Sequence, residues 1–450
     1  MIPNIFKAYD IRGLVGSELT KQFAFSTGVA VAKYLELERE PATVVIGEDM
    51  RPSSPELADA FSAGVTSQGL DVIRIGLAST DMLYFAAGKL NLTGAMFTAS
   101  HNPAEYNGIK LCLSGARPIG KESGLLTIEK FVREGVPVSL RPVGVENHKE
   151  MLQDYVDHLL TLVDVSGIRK LNIVVDAGNG MAGHTAPAVF SRMNVDVTEM
   201  YYELDGTFPN HEANPIDEAN LTDLKEMVKR KSADIGLAFD GDADRCFLVD
   251  EKGKAVNPSL LTALIADREL KKKPGSPIIY NLISSRAVRE VVEENGGKPL
   301  RSRVGHSFIK AMMAESGAIF GGEHSGHFYF SDFWRADSGM LSALHAIAAL
   351  GETNKTLSEL LAPYARYFAS GEINSTVSDS KAIMAGIKAS YGAKPGVTTD
   401  ELDGLTVDGD TWWFNVRASN TEPLLRLNVE AKTQGQMEAL RDEVLAVIRG

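Results

Sequence analysis

Cysteine is scarce in this chain. Its 450 residues hold two, Cys112 and Cys246, far apart and each inside an apolar run. That count excludes a disulfide scaffold and points to a reducing compartment, with both thiols read as buried small hydrophobes. Long apolar stretches are missing as well: none approaches the ~18 residues of a membrane span. The start, Met1-Ile2-Pro3-Asn4-Ile5-Phe6-Lys7, has no signal-peptide anatomy, so a cytoplasmic protein with no membrane partner is expected. Positive charge is in deficit, with 46 Lys and Arg against 59 Asp and Glu and a formal net charge of −13. A nucleic-acid or anionic-membrane partner would need a basic footprint, so neither is expected. A small phosphorylated ligand is compatible with this charge, because a local basic pocket can sit inside an acidic shell.

Several familiar motifs are also absent. No serine stands in G-x-S-x-G, the elbow of an α/β-hydrolase. Gly115 to Lys121 matches G-x-x-x-x-G-K, but residue 122 is Glu122 where a P-loop needs a Mg²⁺-binding hydroxyl.

What is present is a repeated α/β rhythm. A single core rarely grows past ~250–300 residues, so several domains are expected. Thr43–Gly47 and Asp71–Gly76 read as strands, with a helix over Glu56–Gln68 between them. The pattern restarts at Leu171–Asp176 and again at Pro277–Tyr280. A last unit ends in strands at Trp412–Val416 and Leu424–Val429 and a helix from about Gln436. The expected class is α/β, with three similar mixed α/β domains and a smaller C-terminal α+β domain. The expected boundaries are 1–145, 146–253, 254–366 and 367–450.

Four segments carry chemistry. Asp240-Gly241-Asp242-Ala243-Asp244-Arg245 packs three carboxylates into six residues between two apolar runs. Such carboxylates repel one another without a cation, and Mg²⁺ takes oxygen ligands and commonly shares them with phosphate. An EF-hand is the sharper rival, with Glu251 at its last position. Its sharp turn requires glycine where this chain has Arg245, and its flanks should be helices rather than strands. Thr98-Ala99-Ser100-His101-Asn102-Pro103, with Lys110 close behind, places a serine beside a histidine in a loop between strands, a candidate nucleophile. Asn102-Pro103 and Asn107-Gly108 read as turns that hold this loop. Gly321-Gly322-Glu323-His324-Ser325-Gly326-His327 has the alternating donors and acceptors suited to sugar hydroxyls, with zinc as an alternative that lacks a third well-placed ligand. Arg417-Ala418-Ser419-Asn420-Thr421-Glu422-Pro423, followed by Arg426, combines arginines, hydroxyls and loop amides as a phosphate cradle would. A competing signal is Gly178-Asn179-Gly180-Met181-Ala182-Gly183, a G-x-G-x-x-G after a strand with Glu203 roughly where a ribose-binding acid belongs. It leaves open an NAD-dependent sugar-phosphate dehydrogenase, or a tight strand-to-helix turn.

These four segments occur in one order behind Tyr9-Asp10-Ile11-Arg12-Gly13. In that order they resemble the α-D-phosphohexomutase superfamily, and within it the bacterial phosphomannomutase/phosphoglucomutase group, from Tyr9 to Arg426. The resemblance implies four domains around a central cleft. It makes Ser100 a phosphoserine and makes Asp240, Asp242 and Asp244, with a phosphate oxygen on Ser100, the holders of one Mg²⁺ per chain. It counts Arg12 and Arg245 among the catalytic residues, Tyr9 and His306 among the substrate contacts, His306 at sugar or phosphate, and puts the Glu323–His327 loop at the sugar hydroxyls. Arg417, Ala418, Ser419, Asn420, Thr421 and Arg426 would hold the phosphate that is not reacting. Asn420 matches the hexose-phosphate members rather than the glucosamine ones. One departure is Ile283, where relatives often carry Lys or Arg; Arg286 and Arg303 are the candidates to compensate.

The expected reaction interconverts hexose 1-phosphate and hexose 6-phosphate, of mannose and glucose, through a bound 1,6-bisphosphate. Glucose or mannose 1,6-bisphosphate is the expected activator. Lys110 is the first candidate to accept the hydroxyl proton, provided neighbouring cations depress its pKa, and His101 is the second. A monomer or weak homodimer is expected. A non-catalytic phosphosugar-binding protein is the remaining alternative.

Overall fold

The structure, a computed structural model, describes residues 5–418 and 424–450, with the side chains of His306 and Ser307 outside that description. The chain divides into two compact units, residues 1–258 with 325–360, and residues 259–324 with 361–450.

The first unit is built on two sheets. In one, the strands Thr43–Glu48, Asp71–Leu77 and Thr93–Phe97 run parallel, as strand–helix–strand repeats must when each helix crosses back over the sheet. Tyr106–Leu113 returns antiparallel beside Thr93–Phe97, placing Lys110 opposite Met96, and Ile11–Leu14 closes that side. The predicted helix over 56–68 is observed at Ser54–Ser67, opened early by Pro55 in its first turn. The Asn107-Gly108 pair lies in a strand rather than a turn: it pairs with Gly13 and Arg12, a partner too distant in sequence for local turn chemistry to reveal. The second sheet has the order Cys246–Val249, Ile235–Phe239, Leu171–Asp176, Val195–Met200. Its two central strands are parallel and the first is antiparallel, with Phe239 opposite Cys246. Residues 325–360 add a short antiparallel pair and a helix, Gly339–Gly351, whose every residue is buried. Both cysteines are buried, as expected.

In the second unit Pro277–Asn281 lies parallel between Lys298–Ser302 and Phe320–Gly322. The C-terminal part is a five-stranded antiparallel sheet in the order Phe368–Thr376, Leu424–Ala431, Trp412–Ala418, Leu405–Asp408, Thr398–Asp400. The helices Ser380–Gly392 and Gln434–Arg449 supply Ile387, Tyr391, Leu440 and Val444 to its core. The predicted strands at 412 and 424 are found there, each somewhat longer than the apolar run that marked it. Among the described residues no helix is long and apolar enough to cross a membrane.

One rule places the chemistry. In parallel α/β sheets, functional loops leave the carboxyl ends of strands. Asp49–Arg51 follows Thr43–Glu48, Thr80 follows Asp71–Leu77, Ser100 follows Thr93–Phe97, and Asp240 follows Ile235–Phe239.

Candidate active site

Ser100 sits four per cent exposed at the tip of its loop with φ +51°. A left-handed backbone at a residue other than glycine costs on the order of 1–3 kcal/mol and persists only where surroundings enforce it. Here the Ser100 N–H donates to Thr98 Oγ1 at 2.9 Å, and its Oγ donates to Asp240 Oδ2 at 2.9 Å. His101 Nδ1 lies 3.2 Å from the same Oγ. Burial, reinforced by the cations of Arg245 and Arg12, holds the His101 imidazole well below its ordinary pKa, so the ring is neutral at neutral pH. Ser100 and Asp240, 140 positions apart, are therefore in direct contact.

All three aspartates are buried. Asp240 accepts from the Arg245 backbone N–H at 3.1 Å and its Nε at 2.8 Å. Asp242 Oδ2 accepts from Thr80 Oγ1 at 2.5 Å and Lys110 Nζ at 2.6 Å, and the same ammonium reaches Asp244 Oδ2 at 2.6 Å. The remaining oxygens, Oδ1 of Asp242 and Oδ1 of Asp244, are buried and accept no hydrogen bond among the described residues. Three carboxylates thus face two cations, Lys110 and Arg245. Buried, under-coordinated carboxylate oxygens at mutual metal-ligand spacing suit a hard divalent cation, and Mg²⁺ fits this donor set. Burial would raise the pKa of Asp242, but Lys110 and the Thr80 hydroxyl outweigh it and keep the carboxyl far below the usual range. Asp240 goes the other way: burial, with Asp244 and Asp242 nearby, pushes it up against the pull of Arg245.

The condition set for Lys110 as a proton acceptor is not met in this arrangement. Its neighbours are carboxylates, not cations; burial would lower its pKa, but Asp242 and Asp244 prevail and hold it well above the ordinary value.

The aspartate loop is gripped from several sides. The Thr80 N–H donates to the Asp242 carbonyl at 3.0 Å and the Met181 N–H to the Gly241 carbonyl at 2.9 Å. A side chain at Gly180 would stand 2.6 Å from the Gly241 carbonyl oxygen. The glycine fingerprint at 178–183 therefore packs beneath the aspartate loop, which is the tight-turn reading of that motif. A Cβ on Gly241 would lie 2.4 Å from the Ser100 carbonyl oxygen. Gly241→Ala should consequently push the two loops apart and reduce turnover by ~100-fold, the scale of a misplacement near 1 Å; a steady-state assay showing wild-type kcat would refute this.

Other expected site residues fall around this centre or elsewhere. Arg12 Nη1 donates to Asn102 Oδ1 at 2.6 Å and its Nη2 pairs with Asp10, which ties it to the serine loop. Tyr9 is half-buried in the bend before that strand. Ser325 Oγ lies 2.9 Å from His327 Nδ1. His327 Nε2 is 3.5 Å from Asp244 Oδ1, and its backbone bridges Arg245. Among the described residues His327 groups with Asp244 and Asp337, not with Glu323 and His324, so the zinc alternative for the 321–327 loop finds no such cluster.

In the second unit, Glu323 is buried and accepts from the Gly305 N–H at 3.1 Å. His324 is half-buried, and burial lowers its pKa against the pull of Glu372. Glu372 also faces both expected phosphate arginines, Arg417 at 3.4 Å and Arg426 at 3.4 Å. Ala418 ends the strand carrying Arg417. His306 opens the helix His306–Ser316. Ser419, Asn420 and Thr421 lie outside the described residues. Ile283 is buried, and Arg286 does not stand in for it: its guanidinium donates to Asp408 Oδ1 and to the carbonyls of Gly409, Asp410 and Trp412. Arg303 lies 4.8 Å from the centre of the Phe308 ring.

Arg51, Thr80 and Glu372 escaped the sequence reading. For Arg51 and Thr80 a signal existed, since each stands just beyond the carboxyl end of a strand that the apolar runs had located.

Four family models match the chain in succession. They are phosphoglucomutase/phosphomannomutase alpha/beta/alpha domain I over residues 3–136, domain II over 153–253, domain III over 257–367 and the C-terminal domain over 372–447. A Xanthomonas campestris protein described as "Phosphohexose mutases" is 40% identical over 448 residues, covering 99% of each chain. An Escherichia coli phosphomannomutase is 39% identical over 456 residues, again covering 99% of each. A solved phosphoglucomutase/phosphomannomutase family protein from Burkholderia thailandensis superposes with a TM-score of 0.91 at 31% identity, covering 100% of this chain and 98% of its own.

Proposed function

Because the chain belongs to the phosphoglucomutase/phosphomannomutase family, we propose that it interconverts the 1- and 6-phosphates of a hexose, mannose or glucose, with Ser100 as phosphoryl carrier. It is an intramolecular phosphotransferase built from the family's four domains, the last of them α+β. The observation that carries the finer reading is the Ser100 hydroxyl resting 2.9 Å from Asp240 in a buried aspartate cluster.

In the proposed cycle phosphoserine 100 faces the free hydroxyl of the sugar phosphate. The bond from phosphorus to the sugar oxygen forms and the bond to Ser100 Oγ breaks; the hydroxyl proton passes to a nearby base and the serine oxygen is reprotonated. The bound 1,6-bisphosphate turns end for end. The reverse transfer then moves its other phosphoryl group to Ser100 and leaves the isomeric monophosphate. Phosphoryl transfer relies chiefly on positioning and electrostatics. Arg245 Nη2 is buried and donates to no described atom, so it can meet a phosphoryl oxygen. Asp240, Asp242 and Asp244 would hold Mg²⁺, whose charge offsets that of the transferring phosphoryl group. His101, neutral and beside Oγ, is better placed to accept a proton than Lys110, whose ammonium is committed to two carboxylates. Arg417 and Arg426 would bind the phosphate that is not reacting, displacing Glu372.

The ammonium of Lys110 neutralises the same carboxylates that a cation would occupy. Lys110→Met should therefore tighten Mg²⁺ binding by about tenfold while lowering kcat. Calorimetric titration with Mg²⁺ checks this, and weaker binding by the variant would count against Lys110 as a competing charge.

A coupled assay on mannose 1-phosphate, glucose 1-phosphate and glucosamine 1-phosphate, with glucose 1,6-bisphosphate as activator, tests the proposal. Turnover of the first two, with phosphate on Ser100 by mass spectrometry, is expected. No isomerisation, or tight NAD(H) binding by calorimetry, would overturn it.

A further inference from the structure

We propose that Arg51 positions Ser100, its guanidinium clamping the carbonyls of the serine loop and so holding the left-handed backbone from which the hydroxyl reaches the aspartates. The proposal rests on the reading of Ser100 as phosphoryl carrier.

Arg51 is one per cent exposed, among the largest fully buried side chains of the protein. Its Nη1 donates to the carbonyls of Pro103 at 2.8 Å and Tyr106 at 2.9 Å. Its Nη2 donates to those of Ser100 at 2.9 Å and Asn102 at 2.6 Å. Four carbonyls of one short loop thus converge on a single fork. Asp49 is its counter-ion, 3.3 Å from Nε with both side chains fully buried, and Asp49 is itself fixed by the Ser54 hydroxyl at 2.6 Å. The Phe208 ring closes over the guanidinium, its centre 5.1 Å away.

Burying an ion pair is unfavourable compared with packing apolar side chains of similar volume, so cohesion alone does not account for it. The geometry does. A loop that turns four carbonyls inward leaves them unsatisfied unless a planar, multi-donor group meets them. Arginine has that fork and lysine does not. One arm of the fork ends on the Ser100 carbonyl, and on the other side of the same residue Thr98 Oγ1 holds the N–H. The two contacts fix both peptide groups of Ser100 and hence its φ of +51°. Left to relax, a serine leaves this region and its Cα–Cβ bond swings to a new direction. The Arg51 guanidinium donates to loop carbonyls and pairs with Asp49, so it acts on the reaction through Ser100 and is a positioning residue.

The test is Arg51→Lys, which keeps the charge beside Asp49 but loses the fork. A fall in kcat of ~100-fold is expected, with KM for the hexose phosphate within about twofold of wild type. Phosphorylation of Ser100 by glucose 1,6-bisphosphate, followed by intact mass, should slow by the same factor. A purely structural role would lower the melting temperature and leave both rates per folded molecule at wild-type values, and that result overturns the proposal. If Arg51→Lys does not fold, Asp49→Asn keeps the guanidinium and removes its counter-ion. Slower phosphorylation at unchanged KM in that variant supports the clamp; a wild-type rate overturns it. Failure of the underlying reading is separately visible, because the wild-type protein itself would then take up no phosphate on Ser100.

Discussion

Ser100→Ala is expected to lower mutase turnover by at least ~10⁴-fold, on the order of what deleting a covalent nucleophile costs other enzymes. The reasoning is local. In the proposed cycle, alanine removes the oxygen that carries the phosphoryl group between the two ends of the sugar. Nearby hydroxyls do not replace it: Thr98 Oγ1 is held by the Ser100 N–H and Thr80 Oγ1 by Asp242. The fold should survive. The substitution removes one hydrogen bond to Asp240, worth about 1 kcal/mol, and Asp240 keeps two donors from Arg245. Loss of turnover with a wild-type melting curve and no mass gain on incubation with bisphosphate is the expected triple result. Turnover near wild type would sink the phosphoserine mechanism outright.

Asp242→Asn is the second large effect, and its cause differs. One Asp242 oxygen accepts from Thr80 and Lys110, and the other is buried and accepts no hydrogen bond among the described residues. An asparagine satisfies one side only. With its NH₂ toward Thr80 and Lys110, donors oppose donors. With its NH₂ toward the cluster, the lone pairs that would bind a cation are gone. Either rotamer also removes one of the charges that attract the ion. Mg²⁺ affinity should fall at least ~100-fold, beyond the loss that even outer contacts of metal sites produce. Turnover should fall with it and recover only in part at high Mg²⁺. Calorimetry and a Mg²⁺ titration of rate check both parts, and unchanged affinity would move the metal assignment away from this loop. Together the two variants separate carrier from cation: Ser100→Ala should still bind Mg²⁺.

Much of this site was legible in the chain. The Asp240–Arg245 cluster, the Ser100 loop and the arginines at 417 and 426 are contiguous motifs whose chemistry lies in their own residues. The apolar runs that flank them marked their strands to within a few residues, because a buried parallel strand is an unbroken apolar run. Where one motif type has two uses, the chain left alternatives open or misled. Gly178–Gly183 has the glycines of a dinucleotide turn, and the same lack of side chains lets Gly180 press against the Gly241 carbonyl. Asn107-Gly108 has turn composition but pairs as strand with Arg12 and Gly13, because a partner some ninety-five positions away outweighs local preference.

The sequence by itself determined the family, the alternation of strands and helices, the carrier serine and the acidic loop as candidates, and the exclusion of a disulfide scaffold. Only the tertiary structure decided what those groups meet. Thr80 reaches Asp242 across 162 positions, and Lys110 reaches the same carboxylate across 132. Lys110 is a base candidate in the sequence only if cations surround it; in space it is the counter-ion of two aspartates. Arg286, free to be a phosphate ligand on paper, holds a turn around Asp408. Arg51 belonged to no motif and was marked only by its place beyond the strand Thr43–Glu48. Strand order brings these residues together, and strand order is set by how two sheets bury their apolar faces. No local spacing encodes that.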